Sequence, residues 1–381
     1  MIRKRHPLLS ALILLAVSLA ACQPAAIAPT PDYNAALTQA VGTAMAQLAT
    51  PTFTITPEPT ATAVRTPPAL PGTFQTSQLN ALNTPHTYIA DSCEYLKDKW
   101  TSTHAAPGTI VMVIMFHGIN KDASSVDEND ITVQDFNKLM NSLKELGFEA
   151  VNATQLADFL DANAYIPPRS VVLTYDDRHT AEAYEHFRPY HEQWGWPVIN
   201  GWISAFGGDD QFLRENVALS TEGWVDYQAH GVIHNIPITN ASTEEYMLSE
   251  LQGSITNLQT YFNKTPIAYI WPGGGFTPRA AQVARQVGYR VGFTVNPRGP
   301  IMFNWVPLAD VEDPGRPSWM PEGPVNDPRL VLPRYWPVQA LGELDKIRVI
   351  GNDAAAYAGQ NKATELEYYD IVCAPSYGPI P

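Results

Sequence analysis

The sequence predicts an α/β fold built on a parallel sheet or barrel. Two observations carry this: continuous apolar runs of strand length recur along the chain, and segments with helical apolar spacing alternate with them. Ile110 to Phe116 is one such run, read as a strand buried on both faces. Thr132 to Leu146 follows with Val133, Phe136, Leu139, Met140 and Leu143 at helical spacing; Thr132 with Asp135 resembles a capping box, and Gly147 closes the end. Ser170 to Tyr175 is another buried-strand run. Ser242 with Glu245 opens a helix carrying Leu248, Leu251, Ile255, Leu258 and Phe262. Ile267 to Trp271 is a strand, Thr277 caps a helix with Pro278 at its first position, and Val291 to Val295 is a strand again. Past Pro297 the chain is rich in Pro and Trp. Tyr335 to Ile350 is read as a last helix and strand, and Gly351 to Pro381 as a tail packed on the domain. There is no internal repeat.

The ends and the composition bound the function. At 381 residues the chain suffices for one large domain or two ordinary ones. Arg3, Lys4, Arg5 and His6 precede Leu8 to Ala21, an apolar stretch too short for a comfortable membrane span and patterned as an export signal. Leu19-Ala20-Ala21-Cys22 resembles the bacterial lipobox, which implies cleavage before Cys22, lipidation of its thiol, and anchoring on the outer face of the cell. The alternative is a plain signal peptide with an incidental cysteine. Gln23 to about Pro85 is rich in Pro, Thr and Ala and reads as an extended stalk, in which Tyr33 to Leu48 could form a short helix. The net charge of -14 is spread along the chain, which disfavours nucleic acid or an anionic membrane surface as a partner. Cys93 and Cys373 remain; an even remainder in an exported chain suggests a disulfide, with two free thiols as the alternative.

In parallel α/β folds the chemistry gathers at the carboxyl ends of the strands. Four clusters stand there. Asp176 and Asp177 end the run Ser170 to Tyr175 and point in different directions, so one can bind a metal while the other handles protons; a turn or cap pair is the plain alternative. His230 and His234, at i and i+4, would share one face of a helical turn and could hold a cation, or be two ordinary surface histidines. With Asp177 they form two imidazoles and a carboxylate, a zinc-like set that leaves a position for water. His117 directly follows Ile110 to Phe116 and is either catalytic or a half-buried structural histidine. Trp271-Pro272-Gly273-Gly274-Gly275 could bring backbone N–H groups to an oxyanion, or be a plain strand-to-helix turn.

Taken jointly, these motifs resemble the polysaccharide deacetylases, carbohydrate esterase family 4. Leu173-Thr174-Tyr175-Asp176-Asp177 is similar to the family's first motif, His230 and His234 to its second, and Trp271-Pro272-Gly273 to its third. Met115-Phe116-His117-Gly118-Ile119 resembles the permuted branch that acts on poly-N-acetylglucosamine, in which the motif with the catalytic histidine moves to the N-terminal strand. The resemblance spans roughly Ile110 to Arg334 and implies a distorted (β/α)7 barrel. It implies that Asp177, His230 and His234 bind a divalent metal, zinc first, with cobalt, nickel or iron also suited to such ligands. The metal would lower the pKa of a bound water and polarise the carbonyl. Asp176 would be the general base, His117 the acid toward the departing amine, and the backbone N–H of Gly273 an oxyanion donor, with Trp271 and Pro272 beside the substrate.

Four positions depart from the family pattern. Arg178 and Gly231 stand where Gly and Ser or Thr are usual, and Gly273 where an aromatic residue is usual. The arginine that orients the base is absent before Pro272, and Arg334, in Leu332-Pro333-Arg334, is the candidate to replace it.

The expected organisation is a lipoprotein signal peptide over 1–21, a stalk over 22–105, a catalytic domain over 106–350 and a tail over 351–381. The expected activity is removal of N-acetyl groups from an acetylated polysaccharide by a monomer. The alternatives are an O-acetyl esterase and a non-catalytic glycan-binding lipoprotein on the same fold.

Overall fold

A computed structural model describes residues 32–47, 65–120, 129–205, 210–233 and 236–381. The predicted signal peptide, Cys22 and His234 lie outside the described residues. The chain divides into a unit over 1–64 and a larger unit over 65–381. In the first, α1 (Tyr33–Gln47) is exposed on all sides, as expected of a short helix in a Pro/Thr/Ala-rich segment.

The larger unit begins with β1 (Asn83–His86) and α2 (Ser92–Trp100). β2 (Ile110–Phe116) is followed by the short pair β3 (Gly118–Asn120) and β4 (Asp130–Thr132), then α3 (Val133–Glu145), β5 (Glu149–Ala150), α4 (Ala153–Ala162) and β6 (Arg169–Asp176). The alternation continues through α5 (Arg188–Trp194), β7 (Val198–Trp202), α6 (Gln211–Ser220), β8 (Val225–Ala229), α7 (Glu244–Phe262), β9 (Ala268–Ile270), α8 (Pro278–Val287) and β10 (Val291–Phe293). β11 (Val306–Ala309), α9 (Pro337–Tyr368) and α10 (Ala374–Tyr377) complete it. No helix among the described residues is long and apolar enough to cross a membrane.

Seven strands form one parallel sheet in the order β10-β9-β8-β7-β6-β2, with β5 pairing the start of β6. Along β2, Val111 and Val113 enter one apolar cluster, and Ile110, Met112, Ile114 and Phe116 the other. This is the alternation of a strand buried on both faces. The segment 332–335 bridges the two edge strands. Leu332 N–H donates to Gly292 O at 2.8 Å, and Leu332 O accepts from Thr294 N–H at 2.9 Å. On the other side Tyr335 N–H donates to Val113 O at 2.8 Å, and Tyr335 O accepts from Met115 N–H at 3.0 Å. The curled sheet is thereby strapped into the distorted barrel that the family resemblance implied.

Local signals hold where their chemistry is local. Thr132 caps α3, accepting from Asp135 N–H at 3.0 Å, and Thr277 caps α8, accepting from Ala280 N–H at 3.0 Å with Pro278 at the first position. The cap of α7 is Thr243, one residue after the expected Ser242.

Three expectations need correction. The stalk, expected over 22–105, does not extend that far, because the chain from Arg65 onward belongs to the folded body. β1 pairs antiparallel with β11, and the extended segment before it is held by outside donors: Tyr357 Oη–H to Gly72 O at 2.8 Å and Trp305 Nε1–H to Phe74 O at 2.9 Å. Composition cannot register donors that arrive from 231 to 285 residues away. The expected tail over 351–381 is mostly the continuation of α9, and the strand expected before Ile350 is helix. Gly351, read as a boundary, lies inside that helix, where a Cβ would come within 2.9 Å of Ile110 Cγ2 and 3.0 Å of Gly108 O. It is a close-packing glycine. Finally, His230 does not lie on a helical turn: it leaves the end of β8, and Gly231 follows at φ +80°.

Cys93 on α2 and Cys373, in the π-helical turn after α9, form a disulfide with Cα atoms 5.3 Å apart. This decides the open choice between a bridge and two free thiols.

Candidate active site

Strand register brings the candidate residues to one rim. Phe116 of β2 pairs with Tyr175 of β6, so His117 and Asp176 both project one residue beyond the same level. Asp176 pairs with Gly201 of β7, and Trp202 pairs with Ala229 of β8, the residue before His230. All four strands run parallel, so their carboxyl ends open on the same side.

Asp176 is buried, 1% exposed, and Arg334 is wholly buried beside it. Arg334 Nη1 donates to both carboxylate oxygens, at 2.8 and 2.7 Å, and to Thr174 Oγ1 at 3.0 Å, while its Nε donates to Thr294 O at 2.7 Å. The barrel strap therefore delivers the arginine that Ile270-Trp271 lacks. Burial opposes ionisation of Asp176, but the Arg334 guanidinium and the nearby His230 and His117 outweigh it, and its pKa lies below the ordinary carboxylate value. His117 Nε2 stands 3.7 Å from Asp176 Oδ2, and its ring stacks on Trp336 with centroids 5.4 Å apart. Burial lowers the pKa of His117 more than the Asp176 charge raises it.

Asp177 turns the other way. Its φ of +75° places it in the left-handed region, uncommon outside glycine. Asn200 of β7 supports the bend, its Nδ2 donating to Tyr175 O at 2.9 Å and to Asp177 O at 3.1 Å. Asp177 Oδ1 faces His230 Nε2 at 3.5 Å. His230 Nδ1 lies 2.8 Å from Ile270 O; a carbonyl only accepts, so Nδ1 carries the proton and Nε2 is the atom turned to Asp177. Burial works against protonation of His230, yet the hydrogen bond to Asp177 and the charges of Asp176 and Asp177 raise its pKa. A carboxylate oxygen and an imidazole nitrogen turned toward each other are donor types that a divalent cation takes. Among the described residues, no three His, Cys, Asp or Glu side chains gather as a metal-binding group. Asp177 and His230 are the pair present, and the third expected ligand, His234, lies outside the described residues.

The remaining predicted residues divide. Gly273 is exposed in the 3-10 turn Pro272–Gly274, with φ +56°. Pro272 is buried, and Trp271 is wholly buried with its Nε1 donating to Leu330 O at 2.8 Å. That corrects the expectation of Trp271 and Pro272 as substrate contacts: their apolar surface is spent on the core. Arg178 does not stand loose in the entrance. It is ion-paired with Asp210, donates to Ala205 O at 3.1 Å, and lies 4.9 Å from the centre of the Trp202 ring.

Sequence reasoning missed three residues at this rim. Asn200 and Gly201 sit inside an apolar strand. A polar residue and a glycine within such a run are a usable signal, since glycine in a strand marks close approach. A Cβ at Gly201 would lie 2.8 Å from Ile270 Cδ1, 3.3 Å from Asp176 Oδ1 and 3.4 Å from His230 Cβ. Trp336 carries no local signal; only the strap places it on His117.

Residues 164–292 match the sequence family "Polysaccharide deacetylase". Among solved structures the chain is similar to the Streptococcus pyogenes deacetylase PplD in complex with acetate, at 17% identity and a TM-score of 0.50, covering 64% of this chain and 99% of that one. IcaB from Ammonifex degensii is 15% identical at a TM-score of 0.46, with 65% and 99% covered. The BpsB deacetylase domain from Bordetella bronchiseptica is 18% identical at 0.44, with 60% and 96% covered. At such identities the likeness to PplD is one of fold. No curated protein matches the chain in sequence. With the family match and the parallel sheet in agreement, this chain carries a polysaccharide deacetylase domain.

Proposed function

We propose that the domain removes N-acetyl groups from a cell-surface or extracellular polysaccharide, a polymer of N-acetylglucosamine, and depends on a divalent metal. The observation that carries this reading is the division of two adjacent carboxylates: Asp176 faces Arg334 and His117, and Asp177 faces His230. Asp177 and His230, with His234, would hold the ion. When bound, the ion supplies Lewis acidity toward the acetyl carbonyl and toward water.

The chain's own groups supply the proton traffic. Asp176, held ionised by Arg334, takes a proton from water as its oxygen adds to the acetyl carbon. His117, on the same rim, gives a proton to the sugar nitrogen as the carbon–nitrogen bond breaks, leaving acetate and a free amine. The exposed Gly273 backbone offers an N–H toward the oxyanion. We read residues 1–21 as the export signal and Cys22 as the lipid anchor, which would keep the domain at the cell surface where such polymers lie.

The test is acetate release from N-acetylglucosamine oligomers by the intact protein, with and without chelator. Release that chelator abolishes and added Zn2+ restores supports the proposal. Release that is indifferent to chelator refutes the metal requirement. No release, with the glycan still retained, refutes the activity.

A further inference from the structure

The loop carrying His230 has no helix of its own, and Gly231 lacks the hydroxyl that would tie it locally. The ties come from α7. Glu250, only 2% exposed, directs Oε2 at two successive backbone N–H groups of that loop, Val232 at 2.7 Å and Ile233 at 2.9 Å. Four residues earlier on the same helix, Tyr246 Oη–H donates to Ile236 O at 2.6 Å. The chain is thus held at Val232 and Ile233 and again at Ile236. Its carbonyls are held from the end of β7: Gly231 O accepts from Ser204 N–H at 3.0 Å, and Val232 O from Ala205 N–H at 2.9 Å.

The close fit explains the glycine. A Cβ at Gly231 would stand 2.8 Å from Glu250 Oε2 and 3.1 Å from Pro272 Cγ. Gly253, one turn beyond Glu250 on α7, gives similar clearance, since a Cβ there would lie 3.0 Å from Val232 Cγ2. A carboxylate that accepts from two backbone N–H groups makes charge-assisted bonds, stronger than those between neutral groups, and it does so here away from water.

We propose that Glu250 is a positioning residue: its carboxylate clamps the Val232 and Ile233 amides and so sets the segment that directly follows His230 for cation binding. This rests on the metal reading above, and it adds a group that touches neither the ion nor the substrate. Partners that orient metal ligands typically govern affinity by about 10- to 100-fold.

The test uses the intact protein with Zn2+ alone as probe, comparing the parent, Glu250→Gln, Glu250→Met and His230→Ala. Gln keeps an oxygen acceptor in place; Met fills similar volume without one and suits a buried site. Zn2+ affinity is measured by chelator competition, and exchange of the Val232 and Ile233 amides is followed in metal-free protein. Glu250→Met should bind Zn2+ about 10- to 100-fold more weakly and lose protection at both amides, with Glu250→Gln close to the parent. Parental Zn2+ affinity in Glu250→Met overturns the proposal. Fast exchange of the two amides in the parent also overturns it, and needs no variant to fold. If instead His230→Ala binds Zn2+ as tightly as the parent, the metal reading falls, while amide exchange still decides whether the clamp exists.

Discussion

Arg334 Nη1 reaches both carboxylate oxygens of Asp176, at 2.8 and 2.7 Å, across 158 residues of sequence. Both side chains are cut off from water, so the arginine is the main counterweight to the burial that opposes ionisation of Asp176. The contact also fastens the closing strap to β6, which joins the chemistry of the site to the closure of the barrel.

Removing that guanidinium should change both rate and pH profile. Arg334→Ala leaves a buried carboxylate uncompensated, so the pKa of Asp176 rises and the acid limb of kcat/KM moves to higher pH. Because the folded pKa is depressed, the stability contributed by the pair is present above the unfolded carboxylate pKa and is lost as pH falls through the folded one. Breaking a buried pair costs about 3–5 kcal/mol, to be read from denaturant unfolding at neutral pH. An unshifted acid limb in a folded variant would show that Arg334 does not set the ionisation of Asp176.

Gly201 should tolerate nothing larger. In Gly201→Ala the new methyl meets Ile270, Asp176 and His230 together. Overpacking of this kind costs roughly 1–3 kcal/mol. Because two of the neighbours are site residues, acetate release should fall while the melting temperature drops only modestly. A parental rate would mean that the rim yields without disturbing them.

His117 separates amide from ester chemistry. An amine is a poor leaving group until protonated, whereas an alkoxide leaves more readily. His117→Ala should lose about 10²–10⁴-fold against N-acetylglucosamine oligomers and much less against an aryl acetate. Equal, small losses on both substrates would point to an O-acetyl esterase with a structural His117.

The disulfide between Cys93 and Cys373 closes a separation of 280 residues and ties α2 to the end of the long C-terminal helix. Replacing both cysteines by serine should cost about 2–5 kcal/mol and lower the melting temperature, while acetate release at 25 °C persists because the bridge packs in a cluster that holds none of the candidate site residues. Reductant should destabilise the parent and leave the double variant unmoved.

For Cys22, expression with the native signal should place the protein in the detergent phase, and Cys22→Ser should release it to the aqueous phase. Identical partitioning of the two would defeat the lipid anchor.

What the sequence determined by itself was whatever rests on neighbours along the chain. β2 and β6 were legible because a strand buried on both faces must be apolar throughout, and α8 because Thr277 and Pro278 act within one turn. Asp176, Asp177 and His117 stood out as candidates because they follow directly on apolar runs, whereas His230 stood out only by its spacing from His234, since the strand before it carries Asp226 and Gln228. His230 still misled in form, since an i, i+4 spacing reads as a helical turn while Gly231 at φ +80° makes the segment a loop. The tertiary structure alone decided what depends on partners far apart. Arg334 was only a candidate until the strap at 332–335 carried it to Asp176. The loop amides gained a carboxylate partner only when α7 packed beneath them. Gly351 looked like a boundary and the segment from Arg65 like stalk because composition records what a stretch of chain can do alone. Their place is set instead by close approach and by donors hundreds of residues away, and no local window of sequence contains either.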